Sequence, residues 1–341
     1  VVATNGNQTS VPIASIAKLV LALELLAKQP LKIGETGGPI IFTDADEQLY
    51  RDKIKENQSV VPVATGEQFT QYEALQALLL PSGNNIADSL AIRAFGSVAD
   101  YLTIANKQLS EWGLKETHLD DASGFSPKTV SSAHDLVLLG EKVLANPVLA
   151  QIVNQSDVTL PVAGPVHNVN TLLGQDGIIG IKTGNTDEAG GCFLFAVQPK
   201  EADRPIIIGA FLGLTDLAAA LAATTLFIEA SAGNFAPVMV APTDQTVATV
   251  NVPWGDPISV VTKTAATIVS PTGDQITTSI DISGLTAPTA ANTTVGRLQA
   301  KSGPSTSDTP LKLADELKAP SLPWKLLHPI RLVPRYHYEK K

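Results

Sequence analysis

Residues 13–27 read IASIAKLVLALELLA, apolar on almost every face except at Ser15, Lys18 and Glu24. An apolar run without a polar stripe predicts a helix enclosed by a core rather than one lying on a surface. Ser15 stands near its first turn and Lys18 follows three residues later, a spacing that stacks the two side chains on one helix face. A hydroxyl then has an amine beside it. An ordinary lysine is protonated near pH 7, but burial and a second nearby cation both weaken its hold on the proton, and the neutral amine becomes a base able to activate serine.

Downstream, Thr70 with Glu73 forms a capping box ahead of the apolar run from Ala74 to Leu80, which Pro81 stops. Ser82-Gly83-Asn84-Asn85 reads as a turn. Further helices are predicted from about Ile86 to Phe95, from about Val98 to Trp112 closed by Gly113, and from Ser132, with Asp135 three residues later, to Asn146. After Val158 the period changes, and Ile178 to Thr183, Cys192 to Val197 and Ile206 to Leu212 read as three neighbouring strands. A long helix from Thr215 to about Ala232 completes an α+β arrangement, an antiparallel sheet flanked by helices. Beyond Phe235 the composition shifts to Val, Thr, Ile and Pro, with strands expected at Thr246 to Val252, Ile258 to Thr262 and Ile276 to Ile282. The expected domains are therefore a catalytic unit over 1–235, a smaller all-β unit over 236–301, and a linker with a basic tail over 302–341. The linker assignment rests on Ser302 to Pro310, SGPSTSDTP, which is polar and rich in turn formers.

The 341 residues carry 24 Lys and Arg against 33 Asp and Glu, a formal charge of -9, and no basic stripe in the first 300 positions, which argues against a nucleic-acid partner. Cys192 is the single cysteine, so there is neither an intrachain disulfide nor a Cys/His metal spacing, and no metal or cofactor is expected. No run of about 18 apolar residues is present to span a bilayer. The stretch from Trp324 to Lys341 holds Lys325, Arg331, Arg335, Lys340 and Lys341 against Glu339, interrupted by Pro329 and Pro334. Two readings stay open for it: a solvated disordered tail, or a peripheral contact with an anionic membrane surface.

Two further short motifs complete the chemistry. Lys182-Thr183-Gly184 ends an apolar strand, where Lys182 would supply the second cation and Gly184 would let a ligand backbone lie alongside. Ser82 offers a hydroxyl able to relay a proton, and Asn84 an amide able to bind a peptide group. Ser-x-x-Lys, Ser-x-Asn and Lys-Thr-Gly occur once each, in that order, on a helix, a turn and a strand.

This set resembles the penicillin-recognising serine enzymes, and among them the low-molecular-mass D-alanyl-D-alanine carboxypeptidases. Leu78-Leu79-Leu80-Pro81-Ser82-Gly83-Asn84-Asn85-Ile86-Ala87 resembles the family's leucine-rich helix running into its Ser-Gly-Asn turn. Gly180-Ile181-Lys182-Thr183-Gly184-Asn185-Thr186 resembles its extended strand signature, and Asp121-Ala122-Ser123-Gly124 and Asn168-Val169-Asn170 are also family-like. The family places one or two strands before the nucleophile helix, where this sequence has only 14 residues, so those strands are expected to precede Val1 or to be lost. The resemblance implies Ser15 as nucleophile, Lys18 as its proton acceptor, Ser82 as proton relay and Asn84 as an orienting amide. It implies the backbone N–H groups of Ser15 and Asn185 as oxyanion donors, with Thr183 and Lys182 holding a substrate carboxylate beside Gly184. Implied with these are a peptidoglycan stem peptide as substrate, β-lactams as covalent inhibitors, an extracytoplasmic location in the cell envelope, and a β-rich unit acting as a stalk. Rival readings are a serine β-lactamase or a transpeptidase of the same fold, and a non-catalytic wall-binding module.

Other residues invite plainer explanations. His118, His134 and His167 suggest a Ser-His-Asp triad, but no Gly-x-Ser-x-Gly elbow exists. Glu141 with Leu144 approaches a β-lactamase motif, yet Ala145 replaces its asparagine, and the segment reads as a solvated helix face. Asp44, Asp46, Glu47, Asp52 and Glu56 alternate with Arg51, Lys53 and Lys55, which predicts surface ion pairs. Cys192 reads as a buried thiol on a strand.

Overall fold

The run 13–27 starts as a 3-10 turn, Ala14–Ala17, and continues as helix α1, Lys18–Lys28. Ser15 is therefore on the tight turn and Lys18 on the first residue of the helix proper, a break that apolar periodicity does not reveal. The computed structural model describes residues 6, 8–199, 206–231, 237–270, 275–283, 285–303 and 305–328, and the backbone of 337–340. They divide into two units, one over 5–230 and one built on 231–341.

In the first unit α1 is buried from Lys18 to Leu26 apart from half-buried Leu23, with Leu19, Val20, Leu21 and Ala22 inaccessible to solvent. Around it stand α2 (Asp44–Lys55), α3 (Gln71–Leu79), α4 (Asn84–Phe95), α5 (Val98–Glu111), α6 (Ala133–Ala145) and α7 (Pro147–Val153). The Thr70 hydroxyl accepts from the Glu73 N–H and the Glu73 carboxylate accepts from the Thr70 N–H, so α3 begins where the capping box predicts. Asn84 and Asn85, expected in the turn, already belong to α4. Asp46, read as part of a solvated patch, is instead buried and caps α2 by accepting from the N–H and hydroxyl of Thr43. The ion pairs expected nearby do form, between Arg51 and Glu47 and between Lys55 and Asp52.

Strands β1 (Ile178–Thr186), β2 (Gly190–Val197) and β3 (Ile207–Leu214) make an antiparallel sheet with β2 in the middle. Alternation along β2 separates two cores: Cys192, Leu194 and Ala196 face the helical core around α1, while Phe193, Phe195 and Val197 join α8 (Leu217–Ser231) on the opposite face. Phe195, Phe211 and Phe227 pack there with centroids about 6 Å apart, a productive aromatic spacing. Cys192 is fully buried, and burial pushes its thiol up. An additional short hairpin, Asp157–Leu160 with Gly164–His167, carries no strong periodicity in the sequence.

The second unit contains β4 (Pro237–Ala241), β5 (Thr246–Asn251), β6 (Ile258–Thr262), β7 (Ala266–Val269), β8 (Thr277–Ile282), β9 (Thr294–Ser302), β10 (Ser305–Leu313), α9 (Leu322–Leu327) and β11 (His337–Lys340). Six strands pair antiparallel in the order β8-β9-β10-β6-β5-β11, and β4 pairs with β7. The linker expected over 302–310 is thus corrected: most of it is strand β10, which pairs along its length with β9. Thr306, Asp308 and Pro310 occupy the outward face, whereas Thr309, Leu311 and Leu313 point into the core, and those outward positions imitate a linker. The tail is corrected in the same way where it is described. Trp324 packs edge-on against Trp254 at 5.4 Å, and the backbone of 337–340 adds a strand beside β5. Pro329, Arg331, Pro334, Arg335 and Lys341 lie outside the described residues. Among the described residues no single helix is long and apolar enough to cross a membrane.

Candidate active site

Ala14, just before the candidate nucleophile, adopts φ 47°, a left-handed conformation costly for a residue with a β-carbon. The surroundings hold it there by close backbone approach from two sides. At Gly124 (φ 82°) an added Cβ would fall 1.8 Å from the Ala14 carbonyl oxygen. At Gly184 it would fall 2.7 Å from the Ile13 oxygen and 3.2 Å from the Ser15 nitrogen. Glycine at these two positions lets the loop after α5 and strand β1 close on the turn that presents Ser15.

Lys18 is completely buried. Its Nζ lies 2.7 Å from Ser15 Oγ, 2.6 Å from Asn84 Oδ1 and 2.9 Å from the Ser123 carbonyl oxygen. Burial holds its pKa well below the ordinary lysine value, and the cation of Lys182 lowers it further, against a smaller opposing pull from Asp121 and Asp88. Those two carboxylates are engaged elsewhere. Asp121 accepts from the N–H and hydroxyl of Ser123, the Phe125 N–H and the Thr129 hydroxyl, while Asp88 pairs with Lys53 at 2.7 Å. Burial and the Lys182 cation both favour the neutral amine at Lys18.

Lys182 is also buried; desolvation lowers its pKa to about 7, and its ammonium donates to the Thr183 carbonyl at 3.1 Å. Thr183 is buried beside it, and Asn185 is exposed on the same strand, opposite Gly191 of β2. Ser82 adopts φ 66° at the turn before α4, and its buried hydroxyl has no partner among the described residues. Asn84 opens α4, anchored by its N–H to the Ser59 carbonyl at 2.8 Å and by Nδ2 to Gln58 Oε1 at 2.7 Å.

The structure therefore brings Ser15 and Asn84 each into contact with the Lys18 amine and sets Gly184 against the Ser15 backbone. Sequence reading missed the Ser123 carbonyl, Asp121, Gln58 and Asn170. The last carries a buried Nδ2 without a partner among the described residues, close in sequence to Val169, whose N–H reaches the Leu80 carbonyl. Only the family-like segments around Asp121 and Asn170 gave any signal for these. The triad alternative finds no geometric support: His134 Nδ1 meets Asp135 of its own helix at 3.5 Å, while the amine of Lys18 faces Ser15. Glu141 lies on an exposed helix face. Among the described residues no group of three or more His, Cys, Asp or Glu is arranged to hold a metal.

Comparison with known proteins gives a consistent picture. A family model described as D-alanyl-D-alanine carboxypeptidase, Peptidase S11, matches residues 1–210. D-alanyl-D-alanine carboxypeptidase DacB2 of Mycobacterium tuberculosis is 31% identical over 223 residues, covering 63% of this chain and 71% of that protein. A D-alanyl-D-alanine endopeptidase of Pseudomonas aeruginosa is 30% identical over 192 residues, 54% of this chain and 58% of that one. The solved structure of a peptidoglycan synthesis regulatory factor, PBP3, from Streptococcus pneumoniae matches with a TM-score of 0.73 at 20% identity, over 92% of this chain and 94% of that one, a likeness of fold.

Proposed function

The chain belongs to the Peptidase S11 family of D-alanyl-D-alanine carboxypeptidases, serine-type hydrolases, and on that premise we propose that it removes the terminal D-alanine of peptidoglycan stem peptides through an acyl-enzyme on Ser15. The observation that carries the proposal is the buried amine of Lys18, 2.7 Å from the Ser15 hydroxyl. A neutral amine has two N–H bonds and one lone pair. Asn84 Oδ1 and the Ser123 carbonyl take the two N–H bonds, which leaves the lone pair for the Ser15 proton.

Ser15 Oγ would then attack the carbonyl between the two terminal D-alanines as Lys18 takes its proton. The N–H groups of Ser15 and Asn185 would hold the oxyanion, a donor pair of the type worth about 3 kcal/mol of barrier per member. Thr183 and the Lys182 ammonium would bind the terminal carboxylate. Ser82, its buried hydroxyl without a partner among the described residues, would pass a proton to the departing amine, and Asn84 would orient the peptide. Water then releases the shortened peptide. A peptidoglycan substrate would be met outside the cytoplasm, in the cell envelope.

β-Lactams mimic the acyl donor and would acylate Ser15. Neither Asp121, which accepts four hydrogen bonds, nor Glu141, on an exposed helix face, is placed as a deacylating base of the β-lactamase kind. The expected result in a steady-state assay is a long-lived penicilloyl adduct together with D-alanine release from a peptide ending in D-Ala-D-Ala. Fast catalytic turnover of penicillin would favour a β-lactamase, and cleavage only of internal cross-links an endopeptidase.

The proposal extends to peripheral membrane contact near the C-terminus. Leu322, Leu326 and Leu327 of α9 are exposed beside Lys325. Co-sedimentation with anionic vesicles that weakens as salt rises is expected, and equal recovery with neutral vesicles would remove the electrostatic part of this proposal.

A further inference from the structure

The side-chain amide of Asn84 can face Lys18 with either end, and only one end serves catalysis. With Oδ1 toward Nζ, the amide accepts an N–H of Lys18 and spares the lone pair. With Nδ2 toward Nζ, it donates into that lone pair and competes with the Ser15 proton for the base. Something must set the choice.

A continuous row of side-chain hydrogen bonds runs outward from Lys18 to the surface. Lys18 Nζ donates to Asn84 Oδ1 at 2.6 Å, Asn84 Nδ2 donates to Gln58 Oε1 at 2.7 Å, and Gln58 Nε2 donates to Glu56 Oε2 at 2.6 Å. Glu56 is exposed, and its carboxylate only accepts. An acceptor at that end obliges Gln58 to turn its NH2 outward and its oxygen inward. That oxygen obliges Asn84 to turn its NH2 toward Gln58 and Oδ1 toward Lys18. We infer that Gln58, oriented by Glu56, is a positioning residue that fixes the amide polarity of Asn84 and so reserves the lone pair of Lys18 for Ser15.

The backbone is built to hold Gln58 there. Helix α2 ends in a Schellman motif: Asn57 adopts φ 54°, its N–H reaches the Ile54 carbonyl at 3.0 Å, and the Gln58 N–H reaches the Lys53 carbonyl at 3.0 Å. The same end of α2 is tied to α4 through the Lys53–Asp88 pair. The following segment braces the α4 N-terminus through Ser59 O with the Asn84 N–H, and through Val61 N–H and O with the side chain of Asn85. Asn84 therefore sits on a rigid frame, and only its amide rotation is left for Gln58 to decide.

The inference rests on Lys18 acting as the base, and its test uses penicillin acylation of Ser15, which reports on that base whatever the peptide substrate. Rates of adduct formation are measured by mass spectrometry across pH for wild type and for Gln58→Ala, Gln58→Glu and Gln58→Lys. Gln58→Ala frees the Asn84 amide and is expected to lower the plateau rate about three- to tenfold, the scale of one hydrogen bond. Gln58→Glu keeps an acceptor facing Asn84 and restores the plateau. Gln58→Lys offers only donors, reverses the amide, and lowers the plateau below that of alanine.

Charge alone predicts a different pattern. The charged groups facing Lys18 are Lys182, Asp121, Asp88 and Lys53, and an added cation at position 58 would move the acid limb to lower pH and raise the rate there, while an added carboxylate would do the opposite. A plateau ranking in which lysine equals or exceeds alanine, or in which glutamate fails to rescue, overturns the inference. A wild-type protein that no penicillin acylates would overturn instead the reading of Lys18 and Ser15 as base and nucleophile.

Discussion

Ser15→Ala is expected to abolish D-alanine release, with kcat falling by about four to six orders of magnitude, the scale on which losing a serine nucleophile acts. The penicilloyl adduct disappears with it. Ser15 Oγ meets the Lys18 amine, so alanine there forfeits one hydrogen bond, about 1 kcal/mol, and leaves the surrounding backbone in place. The variant should therefore unfold near the wild-type midpoint, and loss of activity in a folded protein would identify the residue as chemical rather than structural. Equal rates of D-alanine release in the two proteins would end the case for an acyl-enzyme on Ser15. Adduct mass on a different serine would move the site and leave the family assignment standing.

The elements most legible in the sequence are those whose signals are local. Thr70 and Glu73 satisfy two orphan donors between them, and Ser132 caps α6 through the Asp135 N–H, so both helix starts follow from residues three apart. The three strands of the first unit are visible because β2 is apolar at every position yet flanked by glycine-bearing turns. What escaped the sequence is of two kinds. Polar strands such as β10 hide their burial in a few alternate positions, Thr309, Leu311 and Leu313. The other kind is long-range: the Ser123 carbonyl that takes one N–H of Lys18 lies 105 residues away, and Gln58 lies 26 residues from the amide it orients. Backbone acceptors leave no trace in residue identity. Likewise, Ala14 gives no hint of its left-handed conformation, which is imposed by the close passage of Gly124 and Gly184. The three chemical motifs were legible as a set because each is short; the network that tunes them was not, because its partners are scattered and individually ordinary.

Lys18→Met tests the tuning directly. Methionine fills a similar volume with neither charge nor lone pair, and removing a general base costs about two to four orders of magnitude in rate. The pH profile then separates the base from its surroundings. On the proposed mechanism Ser15 is activated only when Lys18 is neutral, so kcat/KM should rise with pH through the depressed pKa of Lys18, well below the range of a free lysine. Lys182 has the opposite requirement. As the proposed carboxylate holder it must carry its proton, and with its pKa lowered to about 7 by burial the same rate constant should fall again as pH passes that value. A bell with the Lys18 limb on its acid side is the expected profile, and because the two amines interact, both limbs belong to the pair. Bound carboxylate favours the charged form of Lys182, so the basic limb should stand at higher pH in kcat than in kcat/KM. Lys18→Met should lose the acid limb and keep the basic one. Lys182→Gln removes the cation that disfavours protonated Lys18, so its acid limb should move to higher pH while carboxylate binding weakens about ten- to a hundredfold, as expected for one charge-assisted hydrogen bond. An acid limb unchanged in Lys18→Met would assign the proton acceptor to another group, and an acid limb unmoved in Lys182→Gln would show that burial alone keeps Lys18 neutral.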